Sequence, residues 1–157
     1  MSNFTLLPGW ALAANNLLPL QQALQERLPA LNIQVAELPP GLQMSTLEPD
    51  LTALAEALPA GWLGGWSLGG VLAVQLQRRF PERFPGVVTI ASNACFSARE
   101  GWPEAMAPET FKGFISDARE QPERALRRFG LLVTQGADRA RELSRQLVWS
   151  GLDPLQR

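Results

Sequence analysis

Residues 61–72 read Gly-Trp-Leu-Gly-Gly-Trp-Ser-Leu-Gly-Gly-Val-Leu, and the pentapeptide Gly65-Trp66-Ser67-Leu68-Gly69 is a G-x-S-x-G pattern. Its setting constrains the fold more than any other stretch. An apolar run precedes the serine and a helical pattern follows it with almost no loop between. Such a turn needs small residues two places before and two places after the serine, so that strand and helix can approach. It lifts the Ser67 hydroxyl above a sheet and points the N–H of Leu68 toward the same space, at a helix N-terminus. The alternative is an ordinary glycine turn. A serine hydroxyl is a weak nucleophile without a neighbouring base, and the 157 residues contain no histidine.

The surrounding pattern is that of a parallel α/β sheet. Residues 4–7 form an apolar run closed by Pro8-Gly9. Leu17, Leu20, Leu24 and Leu28 follow at helical spacing, with Asn15 and Asn16 as candidate caps, Pro19 in the first turn and Pro29 as the stop. Residues 32–38 read as a second strand. Leu47, Leu51, Leu54 and Leu58 mark a second helix with Ser45 or Thr46 as its cap. The third strand is 61–66, its helix 68–80, and the fourth strand 86–92 is so apolar that burial on both faces is expected. Strands alternating with helices imply right-handed parallel crossovers. From residue 104 to 150 only helical periodicity remains, broken near Gln121-Pro122 and Gln135-Gly136. It reads as a three-helix cap over a core of residues 1–103, not as a second domain.

Composition narrows the function classes. A net charge of −1 leaves no footprint for nucleic acid or an anionic membrane. Residues 1–111 carry 5 basic and 9 acidic side chains, whereas 112–145 carry 8 and 5. The basic segment suggests a face for an anionic partner. Cys95 is the single cysteine, so there is no internal disulfide, and without histidine a zinc site is implausible. Cys95 lacks a base to activate it and reads as a small buried thiol. Neither a signal peptide nor a membrane span is apparent, and a soluble cytoplasmic protein is the default.

The block from Trp62 to Arg99, with Cys95-Phe96-Ser97-Ala98-Arg99 and then Trp102-Pro103, resembles the pimeloyl-[acyl-carrier protein] methyl ester esterase family of the α/β-hydrolase superfamily. The resemblance implies a serine carboxylesterase of biotin synthesis that needs no metal or organic cofactor. It makes Ser67 the nucleophile and the N–H groups of Trp10 and Leu68 the oxyanion donors. Taken alone, Pro8-Gly9 is an ordinary turn and Trp10 a core aromatic. The resemblance also implies an acyl channel along Phe129, Gly130, Leu131, Leu132 and Val133, with Trp66 and Phe96 as further substrate contacts. Arg124, Arg128, Arg141 and Arg145 would grip the acyl carrier protein, the expected partner of a monomeric enzyme.

The arginines have a plainer reading as a solvated face, with Glu120 paired to Arg124 and Glu123 to Arg127. Against it, Arg124/Arg128 and Arg141/Arg145 are like-charge pairs at i,i+4, which disfavour their helices. Arginine also suits bidentate phosphate and carboxylate recognition.

The sequence departs from the family in three ways. Pro8 stands where the family has a histidine, the chain begins at the oxyanion strand, and it ends at Arg157 before any acid and histidine. Asp153 falls too early to be that acid, since the order in this superfamily is Ser, acid, His. The expectation is therefore an N-terminal part, inactive by itself, with an exposed strand edge at 86–92 that favours aggregation. A thioesterase or general carboxylesterase is one alternative. A non-catalytic relative that binds acyl carrier protein is the other.

Overall fold

The structure is a computed structural model that describes residues 2–42 and 45–150; Asp153 lies outside them. It contains two compact units, residues 1–92 and 93–157.

In the first unit four parallel strands run β1 (Ser2–Leu7), β2 (Leu31–Val35), β3 (Gly61–Trp66) and β4 (Val87–Ile90), in the spatial order β2-β1-β3-β4. Three helices connect them: α1 (Leu18–Arg27), α2 (Leu47–Ala57) and α3 (Leu68–Arg79). The side-chain alternation of the strands supplies two apolar layers. Leu7 and Leu63 point to one face and pack with Leu51, Leu54, Leu72, Leu76 and Phe84 from α2, α3 and the turn after α3. Phe4, Leu6 and Ile33 point to the other and meet Leu17, Leu20 and Leu24 at α1. Helices on both faces are what right-handed crossovers demand when the chain first steps from β1 outward to β2 and then returns across β1 to β3.

Several details differ from the sequence expectation. A 3₁₀ turn over Ala14–Leu17 leads into α1, whose N-cap is Leu17 with no side-chain cap. Asn16 instead donates its amide to the Ala13 carbonyl at 2.8 Å. Thr46 is the N-cap of α2, but its hydroxyl bonds the Asp50 carboxylate rather than a backbone N–H. Strand β2 ends at Val35 rather than 38, just before Pro39-Pro40.

The larger correction concerns β4. It spans only Val87–Ile90, and Val88 and Ile90 are 44% and 38% exposed. Burial on both faces fails because α3 covers one face of β4 while α1 packs over β2 on the other. The two edges of the sheet are unequal. At β2 the Gln25 side chain donates to the Leu31 carbonyl and accepts from the Ile33 N–H, and Gln21 donates to the Ile33 carbonyl. Glutamines from α1 thus occupy the outward backbone groups of β2. The described residues offer β4 no such cover.

The second unit holds α4 (Pro108–Glu120), α5 (Pro122–Val133) and α6 (Ala140–Gln146). Gln121 ends α4 and begins α5 with φ −139° and ψ 62°, outside the helical region, because the ring of Pro122 disfavours a helical residue before it. Gly136 takes the left-handed φ of 88° at the second expected break. Ala118, Ala125 and Leu126 are buried here, and the rings of Phe114 and Phe129 lie 6.2 Å apart.

Candidate active site

Ser67 closes β3 and caps α3 with φ 54° and ψ −118°. This is a region that L-residues avoid, at a cost of about 1–3 kcal/mol, and it persists only where surrounding contacts hold it. The contacts are visible. A Cβ at Gly65 would collide with the backbone of Gly69 and Gly70, and one at Gly69 would collide with the carbonyls of Leu7 and Pro8. The two flanking glycines therefore let β3, α3 and the end of β1 approach closely enough to force the bend.

Among the described residues, three non-glycine residues have left-handed φ: Ala11 at 56°, Ser67 at 54° and Ala91 at 47°. Each follows the carboxyl end of a strand, β1, β3 or β4, and these three strands are neighbours in the sheet. Strain is thus concentrated along one rim of the sheet. The crevice between β1 and β3 is also where the strand order reverses, the place where open α/β sheets bind ligands.

The loop after β1 faces that crevice. Gly9 is buried, and a Cβ there would lie 3.5 Å from the Ser67 β-carbon. Trp10 follows at once, half-buried, in a turn closed by the Leu12 N–H donating to the Gly9 carbonyl at 3.2 Å. A more distant carboxylate steadies the loop, since Glu37 accepts the Ala14 N–H at 2.9 Å. Leu68, the first residue of α3, has no intrahelical carbonyl to which its N–H can donate. The end of α3 carries Arg78 and Arg79, so the helix dipole is complemented at its far end and its positive end lies at Ser67. Together these elements can place a nucleophilic oxygen beside donors suited to a developing negative charge.

The structure brings Ser67, Leu68 and the Gly9-Trp10 loop into one rim. Trp66, partly buried, packs against the cluster of Phe4, Leu6, Leu17 and Ile33, on the face that strand alternation gives the residue before Ser67.

The remaining predicted residues belong to the second unit. Phe96 is 41% exposed, Leu131 and Leu132 are exposed on α5, and Phe129 and Val133 are half-buried. Gly130 is buried where a Cβ would come within 3.2 Å of the Trp149 ring. Arg128 donates to Asp117 at 2.7 Å and Arg124 to Gln121 at 3.0 Å. The Glu123–Arg127 pair forms at 3.8 Å, whereas Glu120 accepts from Ser116 instead of pairing with Arg124. Arg141 and Arg145 lie exposed on α6. Cys95 is half-buried, with Sγ 3.0 Å from the Ser97 carbonyl. No helix among the described residues is long and apolar enough to cross a membrane.

Sequence reasoning missed Ser92. Its hydroxyl donates to the main-chain carbonyl of Ser67 at 2.8 Å. Nothing local in the sequence links residues 25 places apart; only the β3–β4 register brings them together.

Comparison with known proteins agrees with this geometry. No family model matches the chain. It is 38% identical over 148 residues to the biotin biosynthesis bifunctional protein BioHC of Cellvibrio japonicus, a match that covers 90% of this chain and 29% of that protein. It is 37% identical over 153 residues to the pimeloyl-[acyl-carrier protein] methyl ester esterase of Salmonella heidelberg, covering 92% of this chain and 57% of the relative. The chain thus spans little more than half the length of that esterase.

Among solved structures, a thermophilic esterase from Thermogutta terrifontis superposes with a TM-score of 0.62 at 16% identity, over 99% of this chain and 61% of that one. An extracellular alpha/beta-hydrolase from a Paenibacillus species gives 0.59 at 15% identity, over 99% and 73%. The chain therefore has an α/β-hydrolase fold and is, over some nine tenths of its residues, a homologue of the pimeloyl-[acyl-carrier protein] methyl ester esterases.

Proposed function

We propose that the protein is a serine carboxylesterase whose substrate is the methyl ester of a pimeloyl chain carried on acyl carrier protein. The observation that carries this reading is the strained Ser67, set at the reversal point of the sheet and facing Gly9, where an added Cβ would lie 3.5 Å from the Ser67 β-carbon. The relatives' names support the choice of ester.

In this reading the Ser67 Oγ attacks the ester carbonyl carbon and loses its proton to a base. The N–H groups of Leu68 and Trp10 hold the oxyanion, methanol departs, and water then releases the acid from the acyl-enzyme. No histidine within the 157 residues can serve as that base. Residues 1–157 alone are expected to turn over at a rate on the order of 10⁶ below that of an enzyme with a complete triad. The second unit would contribute the acyl channel through Phe96 and residues 129–133, and the carrier grip through Arg124, Arg128, Arg141 and Arg145.

The test uses the protein encoded by the complete reading frame. Methanol release from the pimeloyl-carrier methyl ester is compared with release from a free pimelate methyl ester. Ser67→Ala should abolish both, and Arg124→Ala with Arg128→Ala should lower the preference for the carrier-bound ester about tenfold. Undiminished turnover in the Ser67 variant would refute the reading.

A further inference from the structure

The nucleophile of the proposed esterase is held at both of its main-chain polar groups by the end of β4. Its N–H donates to the Ile90 carbonyl at 2.9 Å. Its carbonyl accepts from the Gly70 N–H at 3.0 Å, the Val71 N–H at 3.3 Å and the Ser92 hydroxyl at 2.8 Å. The first three bonds follow from forming the sheet and the first turn of α3. The fourth comes from a side chain, and space has been kept for it. A Cβ at Gly70 would overlap the Ser92 Oγ. Ser92 lies one residue beyond Ala91, whose left-handed φ of 47° carries the chain sharply out of β4.

The carbonyl that Ser92 grips belongs to the peptide plane that ends in the Leu68 N–H. A peptide unit is planar, so fixing its oxygen fixes the direction of its hydrogen on the opposite side. A donor on the carbonyl also polarises the amide, and its N–H becomes a stronger donor in turn, by roughly 10–30% per bond. We propose that Ser92 is a positioning residue of the esterase site, orienting and polarising the Ser67–Leu68 peptide so that the Leu68 N–H meets the oxyanion. This inference rests on the reading of Ser67 as nucleophile and adds a residue that acts only through the peptide next to it.

A purely structural serine would tie β4 to the elbow and affect stability alone. The positioning role has a further signature. Ser92→Ala leaves the Ser67 carbonyl with its two helical donors, so the fold is expected to persist. What changes is the third donor on that carbonyl.

The experiment has two arms. In the protein from the complete reading frame, isotope-edited NMR follows the Ser67 carbonyl carbon and the Leu68 amide. Ser92→Ala is expected to move the carbonyl resonance upfield and the Leu68 proton toward the value of a weaker donor, and Ser92→Thr to restore both. In the protein from the complete reading frame, hydrolysis of a p-nitrophenyl ester is measured. Ser92→Ala should lower kcat about tenfold with KM within twofold, less than the 10²–10³ lost when an oxyanion donor is removed outright. Ser92→Thr should recover most of it.

Unchanged Leu68 and Ser67 resonances, or an unchanged kcat, in Ser92→Ala would overturn the proposal. Retention of turnover in Ser67→Ala would instead overturn the esterase reading itself, so the two failures are distinct. Should Ser92→Ala lose its native fold, Ser92→Cys replaces it, keeping the side-chain size with a weaker donor, and the same outcomes decide.

Discussion

Gly9 and Ser67 meet across the β1–β3 crevice with room for one methyl group between them: a β-carbon on Gly9 would stand 3.5 Å from that of Ser67. That is ordinary van der Waals contact, and the φ of Gly9 lies outside the left-handed range. Gly9→Ala should therefore fold, with a stability change within about 0.5–1 kcal/mol. The added methyl would fill the space where a substrate carbonyl must approach. In the complete protein, kcat/KM on a short p-nitrophenyl ester is expected to drop at least tenfold while the urea midpoint stays put. A variant as active as the parent would remove this loop from the site.

Ser67 itself is held in a conformation that glycine adopts without penalty. Ser67→Gly should raise stability by about 1 kcal/mol, the lower end of the strain expected for such a backbone. Equilibrium urea unfolding measures it directly. A loss of stability would mean that the hydroxyl contributes more to folding than the bend costs.

The outer edge of β4 should drive self-association. Gly86 and Ile90 turn their carbonyls to β3, where Leu63 and Ser67 donate to them. By strand alternation Val87 and Thr89 direct their backbone groups outward. The edge carries no charge and no proline, two of the devices that usually protect such strands. Residues 1–157 are expected to elute as oligomers in sizing chromatography with light scattering. Thr89→Pro removes an outward N–H without removing a ladder bond, and should shift the population to monomer. Equal association in both would acquit this edge.

The Glu48–Arg79 pair fastens α2 to α3 through two parallel hydrogen bonds, one of them 2.9 Å from Nε to Oε2. Hydrogen bonding from Arg79 lowers the Glu48 pKa below its ordinary 4.5, partial desolvation opposes this, and the arginine charge adds to it. Because the folded-state pKa is depressed, the stabilising increment is fully present above the ordinary value of 4.5 and is lost as pH falls through the lower folded value. The urea midpoint of Glu48→Gln should fall below that of the parent at pH 7, and the gap should close as pH falls below 4.5 and through the depressed folded value. A constant gap across that range would assign the effect to something other than this carboxylate.

Local residue chemistry determined much of this protein. The glycines around Ser67 announced the bend because no other side chain fits where strand, helix and β1 backbone converge, and β3 was legible at both ends for the same reason. Pro122 and Gly136 marked the breaks between α4, α5 and α6, since each restricts or permits backbone angles by itself. The caps at Asn15 and Asn16 were misjudged, and Thr46 caps α2 by position but bonds Asp50, because a polar side chain near a helix start has several partners within reach, and packing chooses among them.

What only the tertiary structure decided depends on which strand lies beside which. An apolar β4 reads the same whether it is central or at an edge, and its exposure follows from its place in the sheet. The glutamine cover of β2 and the Ser92 hydroxyl on the Ser67 carbonyl likewise need residues far apart in the chain to become neighbours. A hydrogen bond of that kind leaves no periodic trace in a sequence, because its geometry is set by the register between strands and not by the residues alongside either partner.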